Sequence, residues 1–279
     1  MNEFIIFCDG GLGNRLGCLV GGIAYAEHID IDPVICWPEN SWCGCSFDDL
    51  FDSDIDVISC GVNELFRSKI NYHFLIHENQ TQLRLIRTSK PSLENLNKIK
   101  DIKSGIIYYN NTIPKEVDDE KVIEILDKFN VQDYIINTVD AFCNEHSINS
   151  STIGVHLRKT DADQHIDENE LYNKILNSSE KYFICSDDKD TELKYKPLTN
   201  VSTFKKKSYV NKLIDGEWNS NIVDSDGRKF PFNVKRSKES VIEGYIDMLI
   251  LSKTKLLFET RSSFLAFAKK YKHINIRKD

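Results

Sequence analysis

The chain has 279 residues, of which 41% are hydrophobic and 28% are charged, and its formal net charge is −7. This composition is typical of a water-soluble globular protein, and the length allows one large or two moderate α/β domains. The acidic balance argues against nucleic-acid binding, which generally requires a strong basic excess. The longest apolar runs fall short of the roughly eighteen residues that a membrane span needs, and the N-terminal stretch lacks the features of a secretory signal. We therefore predict a cytoplasmic protein without a membrane span.

The eight cysteines are interpreted as reduced thiols, because several lie within apolar strand or helix patterns and no secretory signal precedes them. Cys43 and Cys45 form the one closely spaced pair. Since no His or Cys pair follows at zinc-site spacing, we predict no metal site.

The chain opens with the pattern of a Rossmann-like unit. Phe4–Cys8 reads as a strand, residues 9–14 as a glycine turn, and Leu16–Ala26 as an apolar helix. Such a turn at a helix N-terminus favours anions. The dinucleotide fingerprint fails because Leu16 stands where its third glycine belongs, which disfavours a nicotinamide cofactor. Asn14 has two interpretations, a ligand contact or a simple helix cap.

The rest of the first half contains few chemical signals. We predict a short helix over Ser46–Phe51, a broken helical stretch over Glu116–Asn144, and strands at Pro33–Trp37, Phe74–Ile76, Leu83–Ile86 and Ile106–Tyr109. The polar segment after Asn144 suggests a domain boundary. The predicted domains are therefore residues 1–149 and 150–279.

The second half begins with IGVHLRKTD, residues 153–161, an apolar strand that ends in charged side chains. His156 and Arg158 share one face of this strand. In an open α/β sheet ligands collect at the carboxyl ends of the strands, and an arginine there suits phosphate. The alternative is that Arg158 and Asp161 form a surface salt bridge while His156 fills a gap in the core.

The remaining elements continue the α/β alternation. We expect a solvated loop at Lys205–Lys207, helices at Glu170–Leu176, Ser240–Leu251 and Phe264–Tyr271, and strands at Tyr182–Cys185, Val201–Phe204 and Lys255–Thr260.

Four stretches together resemble the GDP-fucose-dependent fucosyltransferases, in particular the group of the core alpha-1,6-fucosyltransferases and the nodulation fucosyltransferase. They are GGLGNRLG, IGVHLRKTD, YFICSDD and IDMLILSKTKLLFETRSSFLAFA. The resemblance implies an α/β fold of the GT-B type, with two Rossmann-like domains facing a cleft and the acceptor bound on the N-terminal side. It also implies an inverting transfer of L-fucose from GDP-fucose to a glycan, without metal or other cofactor.

The resemblance also assigns roles to individual residues. Arg158 and Asp161 take the catalytic positions, and the nucleotide sugar contacts Gly11, Gly13, Asn14, His156, Asp187, Asp247, Ser262 and Ser263. His156 and Asp247 would read guanine, while Arg158 and the two serines would meet the pyrophosphate. Each assignment has a plainer alternative: Asp247 is a solvated helix charge, Asp187 and Asp188 cap a helix, and the serines form an N-cap.

The sequence departs from its relatives beside Asp161. Ala162 and Ile166 stand where the core-fucosylating enzymes have a lysine and a glutamate. The general base is therefore open among Asp161, Asp163, Asp167 and Glu168. Two other functions stay possible, a catalytically silent protein that binds a sugar nucleotide or glycan, and a nicotinamide-dependent oxidoreductase. The acceptor, the linkage and the oligomeric state are not specified.

Overall fold

The computed structural model describes residues 2–53, 55, 57–59, 105–109, 112–160, 166–223, 229–231, 233–256 and 262–278. Their mixed α/β structure divides into two compact units, Met1–Asn40 with Ser46–Asn130, and Ser41–Cys45 with Val131–Asp279. The domain division at residue 149 stays a prediction. The predicted strands Phe74–Ile76 and Leu83–Ile86, and the candidate catalytic residue Asp161, lie outside the described residues.

The first unit is built on a parallel sheet with the strand order β4-β2-β1-β5. The elements are β1 Asn2–Phe7, α1 Leu12–Ile29, β2 Pro33–Cys36, β3 Phe51–Asp52, β4 Val57–Ile58, β5 Gly105–Tyr109 and α2 Asp119–Asp127, with β6 Asn130–Val131 at the junction of the units. The strands predicted near Phe4, Pro33 and Ile106 are confirmed.

The helix predicted over Ser46–Phe51 is wrong. Ser46 and Asp49 exchange the backbone-to-side-chain bonds of a helix start, with Asp49 N 3.3 Å from Ser46 Oγ and Ser46 N 2.9 Å from Asp49 Oδ2. The segment is nevertheless a turn, because Phe51 already belongs to strand β3. The capping signal was read correctly, but no helix follows it.

Helix α1 packs closely on strand β1. A Cβ atom placed on Gly22 would lie 2.6 Å from the side chain of Ile6, a distance that real contacts essentially never show. The ring of Tyr25 lies on Phe4, with ring centroids 5.4 Å apart. Glycine at position 22 therefore allows a close approach of helix and sheet.

The second unit contains a parallel sheet with the strand order β12-β7-β8-β9. Its elements are α3 Asp133–His146, β7 Ile153–Leu157, α4 Glu168–Leu176, β8 Tyr182–Ser186, α5 Lys189–Tyr195, β9 Val201–Ser202, the antiparallel pair β10 Asn219–Val223 and β11 Lys229–Pro231, α6 Lys238–Ser252, β12 Lys255–Leu256 and α7 Ser263–Lys278. The strand predicted at Val201–Phe204 ends at Ser202. The predicted strand after Lys255 is described only to Leu256.

Strand β7 lies inside this sheet and is buried over its whole length. Glycine at position 154 leaves space for the side chain of Thr254, because a Cβ atom at position 154 would lie 2.0 Å from Thr254 Oγ1. Since β7 and β8 run parallel, their carboxyl ends meet at the same edge of the sheet. This edge carries Arg158 after β7 and Asp187 after β8.

Candidate functional site

The glycine turn of the first unit leads into helix α1. Gly10 has a positive φ of 82°, and Gly11 is the N-cap residue, without a side-chain capping bond. Gly13 and Asn14 lie in the first turn of the helix, which contains no acidic residue. Asn14 is therefore not the cap, and that alternative is wrong. An uncapped helix start of this kind presents backbone N–H groups and positive potential to an anion.

Sequence reasoning missed Arg15, which supports this turn from inside the unit. Its side chain is fully buried, with Nε donating to the Gly10 carbonyl at 2.8 Å and Nη2 donating to Asn40 Oδ1 at 3.2 Å. The guanidinium lies over the Trp37 ring, 5.0 Å from its centroid. Asn40 in turn donates to Asp9 at 3.1 Å. A cation within the apolar pattern of a helix was the available signal.

The two adjacent aspartates after β8 have different roles. Asp187 accepts from Lys159 N at 2.7 Å and from Thr160 Oγ1 at 2.5 Å. Asp188 caps helix α5, accepting from Thr191 N at 2.8 Å and from Thr191 Oγ1 at 2.7 Å. The capping alternative thus applies to Asp188 alone. Asp187 instead holds the loop that directly follows Arg158, which lies half-buried at the end of β7.

His156 is buried and stacks on Phe264, with ring centroids 4.5 Å apart and planes inclined by 17°. Burial, followed by the positive charges of Arg158 and Lys206, lowers the pKa of His156 from 6.5 to about 3. The imidazole is therefore neutral at physiological pH. Its Nδ1 atom is buried and has no hydrogen-bond partner. His156 packs as a core residue does, but it keeps an unused polar atom.

The alternative that Asp247 is a solvated helix charge is wrong. Asp247 is 2% exposed, because helix α6 is buried on most sides and not only along its apolar face. Its Oδ2 atom lies 2.6 Å from Lys206 Nζ, while Oδ1 is buried without a partner. Burial raises the pKa of Asp247 to about 7, although Lys206 acts in the opposite direction. Asp247 is a partnered carboxylate with one unused oxygen.

The prediction of a solvated loop at Lys205–Lys207 is wrong for Lys206. Its side chain is only 5% exposed and lies between the carboxylates of Asp247 and Glu192. Lys205 and Lys207 are exposed, as expected. A run of three lysines gave no signal that the middle one is buried.

Ser262 precedes helix α7, and its carbonyl accepts the backbone N–H of Ala266 at 3.0 Å. Its hydroxyl Oγ is buried and makes no hydrogen bond, so the side chain does not serve as an ordinary cap. Ser263 is the first residue of the helix. The hydroxyl of Ser262 and the start of α7 together form a polar end beside the His156–Phe264 stack.

Three of the six buried, unpartnered side-chain atoms among the described residues belong to predicted nucleotide-binding residues. They are His156 Nδ1, Asp247 Oδ1 and Ser262 Oγ. Buried polar atoms are normally hydrogen-bonded, and leaving one unsatisfied costs about 1–3 kcal/mol. All three belong to the second unit. Their chemistry, a neutral imidazole, a carboxylate oxygen and a hydroxyl, suits a polar ligand.

Two of the four candidate general bases can be described. Asp167 caps helix α4, accepting from Asn169 N at 2.9 Å and Glu170 N at 3.0 Å. Glu168 pairs with Lys159 and Lys194, and the hydrogen bond from Lys159 is the largest cause of its lowered pKa. Both carboxylates therefore already have structural partners. Asp161 and Asp163 lie outside the described residues.

Other side-chain groups add little to this picture. Among the described residues, no cluster of three or more His, Cys, Asp or Glu side chains could hold a metal ion. Cys43 and Cys45 are buried thiols whose sulfur atoms lie 3.7 Å apart. Within the part of the chain that the structure describes, no helix combines the length and apolar character needed to cross a membrane.

Solved structures with the same fold include a fucosyltransferase NodZ from Bradyrhizobium, with a TM-score of 0.61 and 17% identity over 96% of this chain and 92% of that one. NodZ alpha-1,6-fucosyltransferase co-crystallized with GDP gives a TM-score of 0.60 and 18% identity over 96% and 92% of the two chains. POFUT1 in complex with GDP-fucose gives 0.51 and 13% over 97% and 94%. No family model and no curated protein matches the sequence.

The chain has the fold of the GDP-fucose fucosyltransferases. The resemblance drawn from the four stretches is thereby confirmed for the fold. The similarity covers nearly the whole of both chains. At 13–18% identity the fold is what these comparisons establish.

Proposed function

We propose that this chain is an inverting glycosyltransferase of the GT-B type that transfers L-fucose from GDP-fucose to a glycan. The observation that carries the proposal is the set of unpartnered buried atoms, His156 Nδ1, Asp247 Oδ1 and Ser262 Oγ. They occur in a fold whose solved examples include one co-crystallized with GDP and one soaked with GDP-fucose. A nucleotide that hydrogen-bonds these atoms would remove the cost of burying them unsatisfied.

The guanine base is the part of the donor that His156 and Asp247 would recognise. A carboxylate oxygen accepts hydrogen bonds from guanine N1–H and N2–H₂, a pair of donors that the other common bases lack. Asp247 Oδ1 is buried and available for such bonds. The low pKa of His156 keeps its ring neutral, so it meets the base through a hydrogen bond and not as a cation.

The pyrophosphate would be met by Arg158, Ser262 and Ser263 in the second unit, and the glycine turn of Gly11, Gly13 and Asn14 serves the donor as well. In the reaction the acceptor hydroxyl oxygen bonds to the anomeric carbon, the bond from that carbon to the β-phosphate oxygen breaks, and GDP leaves with the electron pair. The acceptor proton passes to a carboxylate, for which Asp161 and Asp163 remain the candidates because Asp167 and Glu168 already have structural partners. Fixed donors aimed at the growing phosphate charge stabilise the transition state, and here they are Arg158 and the start of α7.

A panel of melting temperatures with GDP, UDP, ADP and NADP, each with and without EDTA, tests nucleotide binding. GDP is expected to raise the melting temperature most, because a ligand that binds only the native state stabilises it by mass action, and EDTA is expected to leave that shift unchanged. A strict requirement for magnesium or manganese would contradict the proposed phosphate site.

Release of GDP from GDP-fucose in the presence of a glycan panel then tests transfer. Binding of GDP without any turnover would favour the catalytically silent binding protein. That alternative is suggested by Ala162 and Ile166, which stand where the core-fucosylating enzymes have a lysine and a glutamate. Stabilisation by NADP alone would favour the oxidoreductase.

A further inference from the structure

Lys206 makes three contacts within the second unit, as many as its ammonium group has hydrogens. Its Nζ atom lies 2.5 Å from Glu192 Oε1, 2.6 Å from Asp247 Oδ2 and 2.6 Å from the carbonyl oxygen of Ser186. An ammonium group has three donors, so each is used. Burial alone would lower the pKa of Lys206, but the two carboxylates raise it above its usual value. Lys206 is therefore a fixed, buried cation.

Glu192 anchors Lys206 to the sheet edge. Its Oε1 atom accepts from Ser186 N at 2.8 Å, and its Oε2 atom accepts from the hydroxyl of Tyr209 at 2.6 Å. Both oxygens of Glu192 thus have protein partners. Asp247 differs, since only Oδ2 is bonded and Oδ1 is unpartnered. The cluster Glu192–Lys206–Asp247 is saturated everywhere except at this one oxygen.

The Glu192–Lys206–Asp247 cluster connects three elements of the second unit that lie at the candidate site. Ser186 ends β8 and immediately precedes Asp187, Glu192 lies on α5, and Asp247 lies on α6. The charge of Lys206 also contributes to the low pKa of His156. One lysine therefore holds both Asp247 and the end of β8, and its charge adds to the effects of burial and of Arg158 on the pKa of His156.

We propose that Lys206 is a positioning residue that sets nucleotide specificity, holding Asp247 by Oδ2 so that Oδ1 faces the base. This inference rests on the proposed function. Stability alone does not explain the cluster, because a buried ion pair is often no more stabilising than well-packed apolar side chains. A carboxylate held by one oxygen instead presents the other in a fixed direction, which recognition of a base requires.

The test compares Lys206→Met with Lys205→Met, a matched control in which the neighbouring exposed lysine is changed. Calorimetry measures the affinities for GDP, IDP and ADP, where IDP lacks the 2-amino group of guanine. Loss of a hydrogen bond to a charged group corresponds to about a tenfold to hundredfold weaker affinity. Lys206→Met is expected to lose that much for GDP and little for ADP, so the preference for GDP over IDP falls toward one. Lys205→Met is expected to bind as the parent does.

A second variant covers the case in which Lys206→Met does not fold. Lys206→Met combined with Glu192→Gln removes one charge of each sign and keeps the net charge of the cluster, while Asp247 still loses its partner. The same loss of preference for GDP over IDP is expected. Parent protein that binds no GDP would overturn the proposed function and this inference together. Parent protein that binds GDP, with variants that keep the parent preference or weaken all three nucleotides equally, would overturn this inference alone.

Discussion

His156 lies nearly parallel to Phe264, with the two ring centroids 4.5 Å apart. His156 belongs to strand β7 and Phe264 to the first turn of helix α7. The stack thus joins the strand that leads to Arg158 with the helix that follows Ser262. It also fixes the plane of the imidazole, and with it the direction of Nδ1.

Replacing Phe264 with leucine is expected to weaken both GDP binding and the fold. The loss of the aromatic pair costs about 1 kcal/mol of unfolding free energy. GDP affinity falls about fivefold, because a hydrogen bond from a ring that is free to turn contributes about 1 kcal/mol less. Urea unfolding and calorimetry measure the two effects. Phe264→Tyr, which keeps the ring, serves as the control, and parent-like GDP affinity in Phe264→Leu would contradict the prediction.

His156 is expected to make stability depend on pH. The pKa of His156 is about 3 in the folded protein and 6.5 in the unfolded chain. Below pH 6.5 the unfolded chain therefore takes up a proton that the folded chain does not. Its contribution is present above pH 6.5 and is lost as the pH falls toward 3. Between pH 7 and pH 5 the loss amounts to about 2 kcal/mol.

The shifted pKa of Asp247 changes stability with pH in the opposite direction. Its pKa rises from 3.8 to about 7 on folding, so its contribution is largest at low pH and is lost as the pH rises toward 7. The His156→Asn variant separates the two contributions to the pH dependence of stability, because it removes that of His156 and keeps that of Asp247. Urea unfolding at pH 7 and pH 5 is expected to show that acidification lowers the stability of the parent by about 2 kcal/mol relative to that of the variant. The same change in stability in both proteins would contradict the assignment.

The neighbouring aspartates Asp187 and Asp188 offer a matched pair of variants. Asp188→Ala removes the cap of α5 and is expected to cost about 1 kcal/mol of stability, with turnover of GDP-fucose unchanged. Asp187→Ala releases Lys159 and Thr160, so the loop beside Arg158 shifts, and a displacement of about 1 Å at such a site can lower turnover about a hundredfold. Steady-state rates and melting temperatures distinguish the two. Equal rates in both variants would show that Asp187 is only structural.

Arg158→Ala is expected to fold normally and to lower transfer by about a hundredfold to a thousandfold, as the loss of a fixed donor at the leaving group does. Arg158→Lys should restore little, since a lysine keeps the charge but not the planar pair of donors. Steady-state rates measured beside melting temperatures test both expectations. A nearly silent Arg158→Lys, matched by an Asp161→Asn variant as impaired as Arg158→Ala, would instead support a simple salt bridge.

The central strands of the two parallel sheets could be predicted from sequence because each is a short apolar run bounded by turn residues. Tyr182–Ser186 and Ile153–Leu157 are buried throughout, and such runs have few other ways to fold. The burial of Asp247 could not be predicted, since the periodicity of a helix reports one apolar face. It does not report that Lys206, far away in the chain, covers another.

The site could be predicted as a set of stretches but not as a set of contacts. Asp187 and Asp188 are chemically identical neighbours, and only the spacing to Thr191 marked the second as a cap. Lys206 is one of three consecutive lysines, and a run of like charges normally lies in solvent. Its burial depends on two carboxylates that lie on two different helices, Glu192 on α5 and Asp247 on α6.

The strand pairings of both sheets have a consequence for how the protein is made. Ile153 lies beside Lys255 in the second unit, and Phe4 lies beside Ile107 in the first. Each pairing closes a loop of about 100 residues, which slows folding because the loop entropy is lost before the contact forms. On the ribosome, strand β7 therefore emerges long before its outer neighbour β12 is synthesised. Until then one edge of the apolar strand β7 lacks its partner strand. We therefore expect co-expression of a chaperone that binds nascent chains to increase the yield of folded protein.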